Sequence, residues 1–148
     1  YQHWQRTFLH PMLANFDAPS REECVAERAV SSTPQQALTL LNDPTFVEAA
    51  RLLATRLLEE MPLATVEQRL DAAFRRTLAR PPAARETEAL ASFVEAQRAH
   101  YRAAPAQAAA LTSIGLAPAS ASLDRVELAA WTSFCRVLLN LNETIVRY

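Results

Sequence analysis

Glycine is almost missing from this chain. Gly115 is the only one. Phosphate-cradling loops and dinucleotide fingerprints need several glycines so that the backbone can approach the ligand closely, and both are excluded. Lysine is absent, so all 15 basic residues are Arg. Beside so much Ala, this reads as the mark of a GC-rich genome rather than of phosphate binding. No apolar run reaches the roughly 20 residues of a membrane span. His3, His10 and His100 lie in no H-E-x-x-H or E-x-x-H arrangement, so the spacing that aims two helical ligands at one ion is missing. Cys24 and Cys135 form neither a haem-attachment motif nor a zinc pair. No cofactor is expected in this stretch of chain. The net charge of -1 provides no general field for nucleic acid or an anionic membrane, and neither is expected as a partner.

What is present favours helix. Ala, Leu, Arg and Glu abound, and no window alternates as a strand would. The expected fold is all-α, an irregular bundle of about five to seven helices joined by Pro-containing corners. Residues 1–20 read as a lead-in segment, and residues 21–148 as a single helical domain with a flexible connection over about 104–122. The opening "YQHWQRTFLHPM" has neither the charged start nor the apolar run of a signal peptide. It also has no initiator Met, and a piece of a longer chain is expected.

Ser20 with Glu23 suggests a capping box opening a helix to about Val30. Thr33, Pro34 and Gln36 form a second helix start, for a helix reaching Leu41. Asn42 is expected to stop that helix in the left-handed conformation, and Asp43-Pro44 to start the next. That helix runs to about Glu60 with Phe46, Ala50, Leu53, Leu57 and Met61 on its inner face. Thr65 and Gln68 begin another, which buries Leu70, Phe74 and Leu78 and ends at "RPP", residues 80–82. Further helices are expected over about 83–103, 107–114 (stopped by Gly115) and 123–145.

The stretch "SSTPQQALTLLNDPTFVEAA", residues 31–50, poses the functional question: are its polar residues a site or a corner? The spacing of caps and prolines favours a corner. Asn140, Asn142 and Glu143 close an apolar helix, where the Asn side chains can bond loose carbonyls or the Asn42-Asp43 corner. Arg69, Arg76 and Arg80 can share a helix face, with Glu67 and Asp71 close enough to neutralise it. Arg80 suits a helix C-terminus and Glu86 the first turn of the next helix, and the two can pair across the corner. Three readings stand for the cysteines: buried small hydrophobes, a Cys24 nucleophile with no local signature, or a Cys24–Cys135 disulfide in an oxidising compartment.

These residues also carry a resemblance. "FDAP" at 16–19, Cys24, "STPQQALTLLNDP" at 32–44, R-x-P-x-x-x-E at Arg80, Pro82 and Glu86, and "AWTSFCRVLLNLNE" at 130–143 together resemble the planctomycete-type DUF1553 family, also called PSD1. The resemblance implies the C-terminal part of a large exported protein, with DUF1549 and cytochrome c-like regions upstream as frequent companions. It implies a periplasmic or cell-envelope setting, and that setting raises the chance that Cys24 and Cys135 pair. It brings no assigned catalytic residue. The expected function is a non-catalytic scaffold or binding module packed on upstream domains of its parent, through Tyr1, Trp4 and Phe8. The alternative is the C-terminal part of an envelope enzyme of polysaccharide or redox chemistry, to which Arg28, Gln36, Asn42 or Glu143 would contribute. Gln36, Asn42, Asp43, Arg80, Glu86, Asn140 and Glu143 are therefore the residues to place.

Overall fold

A computed structural model of the chain describes residues 9–20, 24–27, 29 and 31–145. Among them the fold is all-α: eight helices and no strand. In chain order they are α1 (Pro11–Asn15), α2 (Pro34–Asn42), α3 (Pro44–Glu60), α4 (Val66–Leu78), α5 (Ala84–Ala103), α6 (Pro105–Thr112), α7 (Arg125–Leu139) and α8 (Asn142–Ile145). The chain separates into two compact units, residues 1–39 and 40–148. This cut differs from the lead-in of residues 1–20 that the sequence suggests.

In the first unit, α1 starts on Pro11 and buries no residue. Its chain reverses at Asp17, which has φ 58. Of the helix expected from Ser20 to about Val30, the described residues show no helical turn. Residues 24–27 and 29 are non-helical, and Cys24 and Val25 are exposed. The rest of that stretch, with Glu23 and Arg28, lies outside the described residues.

The second unit is built around α7. Leu128, Trp131, Phe134, Cys135 and Leu138 are all buried there, and α3, α4 and α5 pack around them. α3 contributes Val47, Ala50, Ala54, Leu57 and Leu58. That face is rotated from the expected one: Phe46, Leu53 and Met61 are only half-buried. The rotation brings Arg51 into the interior, fully buried. α4 adds Leu70, Ala73 and Phe74, and α5 adds Val94. A second cluster joins Tyr101 and Ala108 to the opposite side of α7 at Ala129 and Ala130. The Tyr101 hydroxyl meets Ser133 Oγ at 2.9 Å.

The long final helix expected over 123–145 is two helices. Asn140 closes α7 with φ -97 and ψ 2, and α8 starts at Asn142. The short helix expected at about 107–114 is α6, and the stretch after it, expected to be a flexible connection, begins with a hydrogen-bonded turn. Glu48 accepts from the Leu116 and Ala117 amides at 3.0 and 2.6 Å. Arg51 donates to the carbonyls of Ile114, Ala117 and Pro118 at 3.3, 2.7 and 3.3 Å. Gly115 sits in this turn with φ +104, and a Cβ there would fall 2.4 Å from the Glu48 carboxyl carbon. The chain's single glycine is thus where positive φ and a close side chain coincide.

Candidate functional site

In the stretch 31–50, Thr33, Gln36 and Asp43 bond within the chain. Thr33 Oγ1 accepts from the Gln36 amide at 3.2 Å, and Gln36 Oε1 accepts from the Thr33 amide at 3.1 Å. This is the capping box expected from the sequence. The Gln36 amide nitrogen then donates to Ser31 Oγ at 3.1 Å and Asp17 Oδ2 at 3.4 Å. Gln36 is buried, and its two ends are taken up by its own unit. Asp43 caps α3 by accepting from the Thr45 amide at 2.9 Å, with Pro44 at the first helical position.

Asn42 does not take the expected left-handed conformation. It is the last residue of α2, and the non-glycine positive φ values among the described residues belong to Asp17 and Ala79. Cap Asp43 follows at once, and extended backbone at φ -66 and ψ 131 turns the chain without a left-handed residue. The carbonyl next to Asn42, that of Leu41, is held by Arg136, whose Nε is 3.1 Å away. Arg136 therefore performs the task considered for Asn140. The Asn140 Oδ1 atom is buried and accepts no hydrogen bond.

The strongest polar constellation lies at the α4–α5 corner. α4 ends on Ala79, which has φ 56 and ψ 19, and the left-handed step re-aims the chain at Arg80. Arg80 donates to Glu86 from two nitrogens, at 2.8 and 2.9 Å. It donates to Glu143 from two nitrogens as well, at 2.8 and 2.9 Å. Its fifth N–H goes to the Pro81 carbonyl at 3.2 Å. Glu86 also reaches back to the Ala83 amide at 2.6 Å, since Ala83 has no side-chain acceptor to cap α5. The Arg80 guanidinium lies 5.3 Å from the Phe74 ring centroid. Hydrogen bonds from Arg80, then from the Ala83 amide, pull the Glu86 carboxyl down to about 2. The Glu143 carboxyl is lowered by Arg80, and the Arg80 guanidinium is raised by both partners.

Beneath this corner is an apolar pocket of about 230 Å³. α4 supplies Phe74, α5 supplies Glu86, Ala89 and Leu90, and α7 supplies Phe134, Val137 and Leu138, with Leu141 just beyond it. Glu86 is the charged residue of the wall, and Ala89 is exposed where the pocket meets solvent.

A third arrangement was not anticipated. Glu127 on α7 accepts from Arg98 Nε at 2.7 Å and from the Trp131 indole at 2.8 Å, with Arg69 3.7 Å away. Burial alone would raise the Glu127 carboxyl, but the Arg98 and Trp131 hydrogen bonds outweigh it and the carboxyl is lowered. Arg69 is turned inward, donating to the Met61 and Pro62 carbonyls. Arg76 pairs with Glu60. The basic stripe of Arg69, Arg76 and Arg80 is therefore divided, each arginine having partners of its own. The signal for Arg51 was available, since it falls in register with Val47, Ala50 and Ala54. Glu127 and Trp131 are likewise one helical turn apart.

The cysteines are both free, Cys24 exposed and Cys135 fully buried. Of the three readings, the buried small hydrophobe fits Cys135, which lies in the α7 core among apolar side chains. Burial pushes its thiol up. Among the described residues no group of His, Cys, Asp or Glu is arranged to hold a metal ion. No described helix is long and apolar enough to cross a membrane.

The family model described as PSD1, protein of unknown function (DUF1553), matches residues 1–94. The chain belongs to the PSD1 family. The match covers the Thr33–Asp43 corner and the Arg80–Glu86 pair, and it ends within α5. Glu143, which completes the PSD1 corner in space, comes from beyond it. Neither the curated proteins nor the solved structures contain a match.

Proposed function

We propose that this PSD1 chain is a non-catalytic helical module, a scaffold or interaction domain, of a larger exported bacterial protein. The observation that carries this reading is the fate of the polar candidates. Gln36, Asp43, Arg80, Glu86 and Glu143 are each engaged by backbone or by opposite charge within the chain. Catalysis by acid, base or nucleophile needs a group aimed at a reacting atom and tuned to exchange a proton. Glu86 and Glu143 are instead held ionised by a guanidinium whose donors are spent on its own chain.

The same engagement suits a module whose corners must keep a fixed shape for a neighbour. The family setting supports the cell envelope as its place, and upstream domains of the same protein, a cytochrome c-like one among them, as its neighbours.

The test is a calorimetric titration of this chain with the remaining part of its parent polypeptide, produced separately. Saturable binding, with a rise in melting temperature of the complex, is expected. Absence of binding, together with turnover of an envelope polysaccharide or a redox dye that Glu143→Gln abolishes, would replace the module by the C-terminal part of an enzyme.

A further inference from the structure

We infer that the pocket between α4, α5 and α7 is a binding site for a small apolar molecule with a cationic end, of the arylalkylamine class. Its size is suited to one ring. A cavity of about 150 Å³ accepts benzene, and this one offers about 230 Å³. Its wall is almost wholly apolar, formed by Phe74, Leu90, Phe134, Val137, Leu138 and Leu141. Such a wall with a few polar groups at one edge is the usual form of a small-ligand site.

The edge determines the charge of the ligand. Two carboxylates, Glu86 and Glu143, face one guanidinium, Arg80, which leaves one negative charge in excess. All the N–H donors of Arg80 are already used, by Glu86, Glu143 and Pro81. An anionic ligand would meet repulsion and no free donor there. Glu86 Oε2 already accepts from Arg80 and from the Ala83 amide, whereas Glu86 Oε1 and the two Glu143 oxygens each accept one Arg80 N–H, so an ammonium would meet open carboxylate lone pairs there. Glu86 both lines the pocket and belongs to the charged corner, so it joins the apolar wall to the anionic edge. The pocket shares Glu86 with the Arg80 corner, and binding in it does not depend on whether the chain is a module or part of an enzyme.

The experiment is an NMR amide-shift titration of the intact chain with three probes of one shape: phenethylamine, 2-phenylethanol and 3-phenylpropionate. Phenethylamine is expected to shift Ala89, Leu90 and Leu141 saturably and to bind about threefold tighter than the alcohol, the scale of an exposed ion pair. The propionate is expected to bind weakest of the three. Glu143→Gln should remove the advantage of the amine while leaving the alcohol unchanged. Ala89→Phe, at an exposed wall position, should weaken all three by about tenfold or more, with an unchanged circular-dichroism melt showing that the fold is intact. Should that variant melt early, Ala89→Leu at the same position takes its place. Equal binding of propionate and amine would overturn the proposal. So would shifts scattered away from the pocket, or full binding by the Ala89 variants.

Discussion

Residues 9–39 and residues 40–145 are held together by different physics. Among the described residues of the first stretch, α1 buries nothing, and the side-chain bonds that link its segments are polar. Asn15 reaches Thr39 and the Gln35 carbonyl, Asp17 takes Ser31, and Thr33 and Gln36 cap each other. In the second, a continuous apolar cluster runs through α3, α4, α5 and α7. A net hydrogen bond stabilises by about 1 kcal/mol, and a fully buried large side chain by about 1.5–3 kcal/mol. The first stretch therefore specifies a shape, while the second supplies the stability. Charged groups follow the same division. Where the second unit buries an arginine, it surrounds it with carbonyls. At its surface the Arg80 corner is partly solvated and adds orientation more than free energy.

Breaking the core should have the largest effect. Trp131→Ala is expected to cost about 3–5 kcal/mol by chemical denaturation, since it empties a fully buried site and strips Glu127 of a donor. A loss below about 1 kcal/mol would show that α7 is not the centre of the unit. Arg51→Met keeps volume but removes the donors to three carbonyls, and about 2–3 kcal/mol should go with them. Hydrogen exchange should quicken at Leu116 and Ala117 in that variant.

Gly115→Ala should cost about 1–3 kcal/mol, because it combines positive φ with an overlap on Glu48. Pairing it with Glu48→Ala should recover the steric part, and strict additivity of the two would refute the contact. The effect of pH at the Arg80 corner is smaller. Glu86 is lowered from 4.5 to about 2 in the fold, so its contribution is present above its unfolded value and is lost as pH falls from about 4.5 to about 2. Its side chain is 35% exposed, and solvent screening keeps this contribution under about 1 kcal/mol. Glu86→Gln should flatten that part of the stability–pH curve, with little change at neutral pH beyond the lost pair.

Asp17→Ala should be the smallest, under about 0.5 kcal/mol in the main unfolding transition. Limited proteolysis within residues 9–39 should nonetheless accelerate, because Ser31 and Gln36 lose a shared acceptor. A large drop in the main transition would erase the contrast between the two stretches.

What could be read in advance was local. The caps at Thr33, Asp43 and Thr65 are where the sequence places them, because a cap and its partner lie within three residues of each other. Pro34 and Pro44 start their helices for the same local reason. Arg80 and Glu86, six residues apart across one corner, were also within reach. Residues 24–27 and 29 are non-helical although Ser20 and Glu23 suggest a helix there, because a local cap signal alone does not offset the cost of nucleation. The Asn42 reading failed because residue type alone suggested a left-handed stop, and the extended backbone of Asp43 made that stop unnecessary. Arg136 on the Leu41 carbonyl, 95 residues away, could not be read from spacing at all.

The sequence by itself determined the all-helical class, the family and the corners, since these follow from propensity, short-range caps and motif order. Tertiary structure alone decided which face of α3 turns inward, and with it the burial of Arg51 against the turn that holds the single glycine. It also decided that Glu143 joins Arg80 above an apolar pocket and that Cys135 is enclosed in the core. Those outcomes depend on how helices far apart in the chain fill one shared volume, and close packing is a property of the assembled helices rather than of any one segment.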